Sequence, residues 1–182
     1  RAEVLDRFER GEDDIYVFSH PPSLESAQAA RFLHNPLEFI VPLNHPLAHV
    51  KAVKLTDLMQ YRFLLRENGS ATRMLFESEL QSRGLVLSDS VQMASNEAIR
   101  VAVASGMGIA VLSRHVLATD DTSFKILNVT DTHLASHWYF VMRTDRHISH
   151  AARNFLKFAQ QHVEQYLDTQ WVRNELHNLH LD

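Results

Sequence analysis

Short apolar runs alternate with segments of helical periodicity along most of the chain. Strands are predicted where four to seven residues are apolar or β-branched between turn residues, at 15–18, 37–43, 62–65, 90–94, 109–112, 124–129 and 137–142. Helices are predicted where apolar residues recur three or four apart, at 4–8, 56–59, 72–82, 95–104 and 147–167. Because helices separate the strands, the pattern predicts an α/β fold with largely parallel strands.

The composition is that of a globular chain and narrows the possible functions. The 182 residues are 45% hydrophobic, carry a formal net charge of −4 and include no cysteine. Disulfides, cysteine-ligated zinc and a thiol nucleophile are therefore excluded. The basic residues are scattered singly and form no cluster that would neutralise phosphates, so we do not expect the chain to bind DNA by itself. The charged segment 1–10 lacks the apolar core of a signal peptide, which favours a cytoplasmic location.

The turn between the third predicted strand and the following helix is the first candidate binding site. Gly69 allows backbone conformations that other residues avoid, and Ser70 and Thr72 supply hydroxyl groups at the predicted helix start. Free N–H groups at a helix start attract anions, and Arg73 would add a guanidinium. A simple capped turn with a surface arginine explains the same residues.

The segment from Ser95 to Leu112 is the second candidate. Ser95 or Asn96 can cap the predicted helix and direct a polar group towards a ligand. Gly106 and Gly108 follow the helix, whereas the glycines of a dinucleotide-binding fingerprint precede one. The glycines alone therefore fit a helix end as well as a site.

Metal binding and catalysis have little support in the sequence. Twelve histidines include four closely spaced pairs, namely His45/His49, His133/His137, His147/His150 and His177/His180. A metal site needs three or four converging ligands, so we expect surface or packing roles for these histidines and no metal or other cofactor. The sequence also lacks a GxSxG elbow, a phosphate-binding loop and an HExxH motif, so an enzyme is not predicted.

Four segments, taken in order, resemble the effector-binding domain of LysR-type transcription regulators. They are FIVPLNHPLA at 39–48, FLLRENGSATR at 63–73, SNEAIRVAV at 95–103 and SGMGIAVL at 105–112. WYFVMR at 138–143, followed by a helix, also fits the resemblance, which covers roughly residues 1–167. The combination of NPLEFIVPLNHPLA with RENGSATR is most similar to the CbbR-like regulators of carbon-fixation genes.

The resemblance implies a two-lobed α/β fold like that of type 2 periplasmic binding proteins, truncated at its N-terminus. The first lobe would comprise residues 1–61 and 139–182, and the second would comprise residues 62–138. An effector would bind between the lobes, and the residues that match effector-facing positions are Gly69, Ser70, Ala71, Thr72, Arg73, Ser95, Asn96, Ser19 and Pro21. The winged helix-turn-helix that binds DNA in the family is absent from the chain.

The function implied by the resemblance is sensing of a small anionic metabolite. The effector would change the conformation of a homo-oligomer, a dimer or a tetramer, and so its binding to DNA through the missing domain. A solute-binding protein of a transporter has the same fold and is the alternative. An enzyme on the same scaffold is a third possibility, which would require a convergent acid, base or nucleophile.

Overall fold

A computed structural model describes residues 2–117 and 122–181, which form two compact units. The first unit comprises Arg1–Asn35 and Ser136–Asp182, and the second comprises Pro36–Ala135. The chain therefore passes between the units twice. The predicted lobe boundaries, at 61/62 and 138/139, differ from this division mainly at the first passage. Residues 36–61 belong to the second unit. The reason is that residues 37–40, in the second half of one long strand, pair with residues 110–113 of that unit.

The first unit is built around three strands and two helices. Its elements are α1 (Ala2–Arg10), β1 (Tyr16–Phe18), the start of β2 (Ala27–Pro42), most of β7 (Ala135–Arg143), α5 (His150–Tyr166) and a 3-10 turn at Leu176–Asn178. The strand order is β1-β7-β2, and β1 runs antiparallel to β7. α1 contributes Phe8 to a buried aromatic group with Tyr16 and Phe18. Ser149 caps α5 by accepting a hydrogen bond from Ala152 N at 3.2 Å.

The second unit holds the rest of β2 and most of the helix–strand alternation. Its elements are α2 (Leu55–Leu58), β3 (Arg62–Leu65), α3 (Ala71–Ser82), β4 (Asp89–Gln92), α4 (Asn96–Ala104), β5 (Ile109–Ser113), a 3-10 turn at Arg114–Val116 and β6 (Phe124–Ile126). The strand order is β2-β5-β3-β4, with β6 paired to β2. β3 is parallel to β4 and β5, whereas β2 is antiparallel to β5 and β6.

The prediction of largely parallel strands is therefore wrong for this chain. The strand–helix–strand repeat produces parallel neighbours only within β3, β4 and β5. The strands that carry the chain between the units, β2 and β7, pair antiparallel with β5 and β1 respectively. Apolar runs predict strands without indicating their direction, so only the connections could have revealed this mixture.

Alternation along the strands of the second unit creates two apolar faces. Phe39 and Phe63 pack with Phe76 of α3 on one face. Ile40 and Leu64 pack with Ile99 of α4 on the other face. The two helices are thereby fixed on opposite sides of the same sheet, and their orientation follows from the strands that precede them.

Several helix starts differ from the predicted ones. α2 begins at Leu55 with Lys54 as its cap, one residue before the predicted start at 56. The cause is Asp57, whose carboxylate accepts a hydrogen bond from Lys54 N at 2.8 Å. α5 begins at His150 and not at 147. Within the described residues, no helix is long and apolar enough to cross a membrane.

Candidate functional site

The starts of α3 and α4 lie at one edge of the second unit's sheet. β3 and β4 are parallel neighbours, with Leu65 opposite Gln92, and a helix follows each of them. Met93 N donates to Leu65 O at 2.8 Å, which continues the pairing beyond the strands. Both helix N-termini therefore lie beyond the carboxyl ends of parallel strands, where α/β proteins commonly bind ligands.

The start of α3 offers hydrogen-bond donors without acceptors. Gly69 has φ +87°, a left-handed conformation that brings the chain sharply into the helix. Ser70 is the N-cap residue, yet its hydroxyl caps nothing. In the described part of the chain, the hydroxyl of Thr72 and the backbone N–H groups of residues 71–73 also have no hydrogen-bond partner. These groups can bind an oxyanion.

The guanidinium group of Arg73 forms hydrogen bonds with other residues of the same unit. Its Nε donates to Glu77 Oε1 at 2.7 Å, and Nη1 donates to Arg66 O at 2.9 Å and to Gln92 Oε1 at 3.0 Å. Only 17% of the side chain is exposed. The guanidinium therefore ties α3 to the ends of β3 and β4. The observed hydrogen bonds define a structural role for Arg73. An effector contact through this residue stays a prediction.

Arg66 connects the two helix starts and was not singled out from the sequence. Its Nε and Nη2 donate to both carboxylate oxygens of Glu67, at 2.8 and 2.9 Å, and its Nη1 donates to Asn96 Oδ1 at 2.7 Å. These hydrogen bonds hold the pKa of the Glu67 carboxyl below its ordinary value. The signal available in the sequence was an arginine directly after a buried strand, at an edge where ligands bind.

α4 begins with a satisfied cap. Ser95 Oγ accepts a hydrogen bond from Ala98 N at 3.1 Å, so Ser95 is the cap of the two that the sequence left open, Ser95 and Asn96. Asn96 is held by Arg66, so its amide oxygen is occupied. The backbone N–H groups of Asn96 and Glu97 find no acceptor among the residues that the structure describes. The two helix starts thus present backbone N–H groups while their nearby arginines are paired with carboxylates.

The predicted site residues divide between the units. Seven of them lie together at the edge just described: Gly69, Ser70, Ala71, Thr72, Arg73, Ser95 and Asn96. Ser19 and Pro21 lie in the first unit, on the half-buried loop that follows β1. Within residues 2–117 and 122–181, no three His, Cys, Asp or Glu side chains converge to hold a metal ion.

Comparison with known proteins defines the class of this domain. The Synechocystis CcmR regulatory domain, solved in complex with 2-PG, aligns with a TM-score of 0.77 and 32% identity over 86% of this chain and 76% of that one. The chain is 34% identical over 166 residues to the transcriptional activator CmpR of Synechocystis, which is 90% of the chain and 55% of that protein. It is 35% identical to the regulator CbbR of Rhizobium meliloti over 170 residues, which is 92% of the chain and 54% of that protein. These relatives are transcription regulators and not enzymes.

A profile of the LysR substrate binding domain matches residues 1–164. The chain belongs to this family, and the resemblance read from its motifs is confirmed, including its similarity to carbon-fixation regulators. The predicted α/β fold of the periplasmic-binding type is confirmed as well. The chain spans about half the length of the curated relatives that it matches.

Proposed function

We propose that this chain is the effector-sensing part of a LysR-type regulator and that it binds a small anion at the starts of α3 and α4. The observation that carries the proposal is a set of donors that have no partner among the described residues: the hydroxyls of Ser70 and Thr72 and the N–H groups of residues 71–73. Helix N-termini carry partial positive charge, so several neutral donors at one helix start favour an oxyanion.

A metabolite that carries both a phosphate and a carboxylate fits two neighbouring helix starts. One anionic group would be held by the donors of α3 and the other by the N–H groups of Asn96 and Glu97. The similar CcmR domain was solved with 2-PG, and this supports 2-phosphoglycolate as the first effector to test. In this proposal, Arg66 and Arg73 hold the two helix starts at a fixed spacing while their charges remain paired with Glu67 and Glu77.

The bound effector would act by favouring one conformation of the domain. A ligand shifts such a balance only by its different affinity for the two conformations. The change would reach DNA through a separate DNA-binding domain in a cytoplasmic homo-oligomer, as the similarity to DNA-binding regulators supports. A transport solute-binding protein is the less favoured reading, because the curated relatives are transcription regulators.

Isothermal titration calorimetry of the chain with 2-phosphoglycolate tests the proposal, with glycolate and inorganic phosphate as comparisons that each carry only one anionic group. Thr72→Val removes a hydroxyl and keeps the shape of the side chain. A hydrogen bond to a charged group contributes about 1.5–3 kcal/mol, so the dissociation constant should rise by about ten- to a hundredfold.

Thr56→Val is the matched control, because Thr56 occupies the second position of α2 as Thr72 occupies that of α3. It should leave binding unchanged. Absence of 2-phosphoglycolate binding would reject this effector. Unchanged affinity in both Thr72→Val and Ser70→Ala would reject the start of α3 as the site.

A further inference from the structure

A second cleft lies on the second unit, away from the starts of α3 and α4. It has a volume of about 410 Å³ and lies between the loop 48–51, which follows β2, and residues 125–128 at the end of β6. Its charged and titratable lining consists of Lys51, Lys125 and His49. No carboxylate lines the cleft among the residues that the structure describes. The lining is thus cationic on both walls.

Hydrogen bonds fix the two walls of this cleft against each other. Val53 N donates to Asn128 O at 3.0 Å, and Thr130 N donates to Val53 O at 3.0 Å. The Asn128 side chain closes the gap by donating from Nδ2 to Lys51 O at 3.2 Å. Buried Ala48 and Val53 anchor the loop in the core. The distance between the backbone of Lys51 and that of Lys125 is therefore fixed before a ligand binds, which lowers the entropic cost of binding.

The charge of the cleft is not balanced within the described part of the chain. Neither Lys51 nor Lys125 forms an ion pair there, and the backbone N–H groups of His49 and Lys51 have no acceptor there. The sequence contains only four lysines, at 51, 54, 125 and 157, and its net charge is −4. Two of the four lysines thus face one cleft in an acidic chain. An anion placed between them would relieve their mutual repulsion and accept hydrogen bonds from the N–H groups of His49 and Lys51.

We propose that this cleft is a second anion site, which takes a compact phosphate-bearing molecule. The two ammonium groups would hold the phosphate oxygens, and the N–H groups of His49 and Lys51 would add hydrogen bonds. Val50 and Ile126 provide an apolar surface for the uncharged part of the molecule. The cleft shares no residue with the proposed effector site, so each proposal can be tested independently of the other.

Titration of the ¹⁵N-labelled chain with inorganic pyrophosphate, followed by amide chemical shifts, tests the site residue by residue. We expect saturable shifts at 48–51 and 125–128. The double variant Lys51→Gln/Lys125→Gln should weaken the binding that causes these shifts by about tenfold or more, because charge-assisted hydrogen bonds are lost. Raising the salt concentration from about 0.05 to 0.5 M should weaken it as well.

The control variant is Lys157→Gln, an exposed lysine on α5 of the first unit, which should leave the shifts intact. Thr72→Val should also leave them intact while weakening 2-phosphoglycolate binding, which separates the two sites. The second anion site is overturned if pyrophosphate shifts no amide of this cleft at millimolar concentration. It is equally overturned if the shifts persist with the same affinity in the double lysine variant.

Discussion

Substitution of Gly108 by alanine should destabilise the second unit through one steric contact. A Cβ atom at this position would lie 2.7 Å from Arg62 O and 3.2 Å from two atoms of the Leu64 side chain. The carbonyl belongs to β3, whose pairing with β5 begins one residue later, at Phe63 and Ile109. The backbone of a paired strand cannot move aside without loss of hydrogen bonds. The glycine therefore permits the close approach of two strands.

The magnitude follows from two opposing effects. Overpacking of a well-packed position costs about 1–3 kcal/mol. Replacement of glycine by alanine stabilises by about 0.4–1 kcal/mol through the unfolded chain, provided that the backbone conformation suits alanine. Gly108 is not among the glycines with positive φ, so this condition is met. The net loss should be about 1–2 kcal/mol, which corresponds to a fall in Tm of roughly 2–8 °C for a chain of this length.

Gly106 provides the comparison, since it has the opposite property. Its φ is +82°, yet a Cβ would meet no atom of the described residues within 4 Å. Asparagine tolerates this conformation better than alanine does, so Gly106→Asn should be more stable than Gly106→Ala. At Gly108 the order should be reversed, because asparagine is larger and the obstacle is space.

Urea unfolding followed by far-UV circular dichroism measures these differences, and amide exchange in β3 and β5 locates them. Both tryptophans, Trp138 and Trp171, lie in the first unit, so their fluorescence does not follow the second unit directly. Equal stability of Gly108→Ala and the unsubstituted protein would refute the steric reasoning, as would the same order of alanine and asparagine at both glycines.

Three further predictions concern stability. Burial lowers the pKa of His45, whose Nδ1 accepts from Leu47 N at 3.2 Å. The unfolded chain therefore binds the proton more readily, and stability should fall as the pH drops below the ordinary value of 6.5, an effect that His45→Asn should reduce in urea titrations. Phe76 is fully buried, with ring centroids 5.0 Å from Phe63 and 5.8 Å from Phe39, so Phe76→Ala should cost about 3–5 kcal/mol in chemical unfolding. Loss of the α5 cap in Ser149→Ala should cost about 1 kcal/mol by the same assay, and Ser149→Asp should restore most of it.

Each of these has a result that would contradict it. An identical pH profile for His45→Asn would show that this histidine does not contribute to the acid sensitivity. A cost below about 1 kcal/mol for Phe76→Ala would mean that the core collapses around the gap. If Ser149→Asp is no more stable than Ser149→Ala, the hydrogen bond from Ala152 N to residue 149 is not what stabilises α5.

Local patterns predicted most elements of this fold because each is marked by periodicity and a turn residue. β3 matches its predicted bounds, and α3 and α4 differ from theirs by one residue at most. Strand direction and the division at 35/36 could not be read locally, since both depend on which distant strands pair. β2 shows this clearly, because one continuous strand serves both units.

The site shows the same contrast between local and long-range information. The cap at Ser95 follows from the sequence, because a serine before a helix bonds to an N–H only three residues away. The bond from Arg66 to Asn96 joins residues 30 positions apart and appears only once β3 and β4 are neighbours. The predicted ligand contact of Arg73 stays a prediction, and its hydrogen bond to Gln92 of β4, 19 positions away, is one that no local pattern reveals.

The double passage of the chain between the units has a consequence for synthesis on the ribosome. All residues of the second unit, 36–135, are made in one uninterrupted stretch, so this unit can fold as soon as that stretch emerges. The first unit cannot, because β1 must wait for β7, its antiparallel partner, more than a hundred residues later. Until then the apolar side chains of Phe8, Tyr16 and Phe18 lack Val141, the β7 residue of their buried cluster, which leaves residues 8–18 open to chaperones and to aggregation while the second unit is being made.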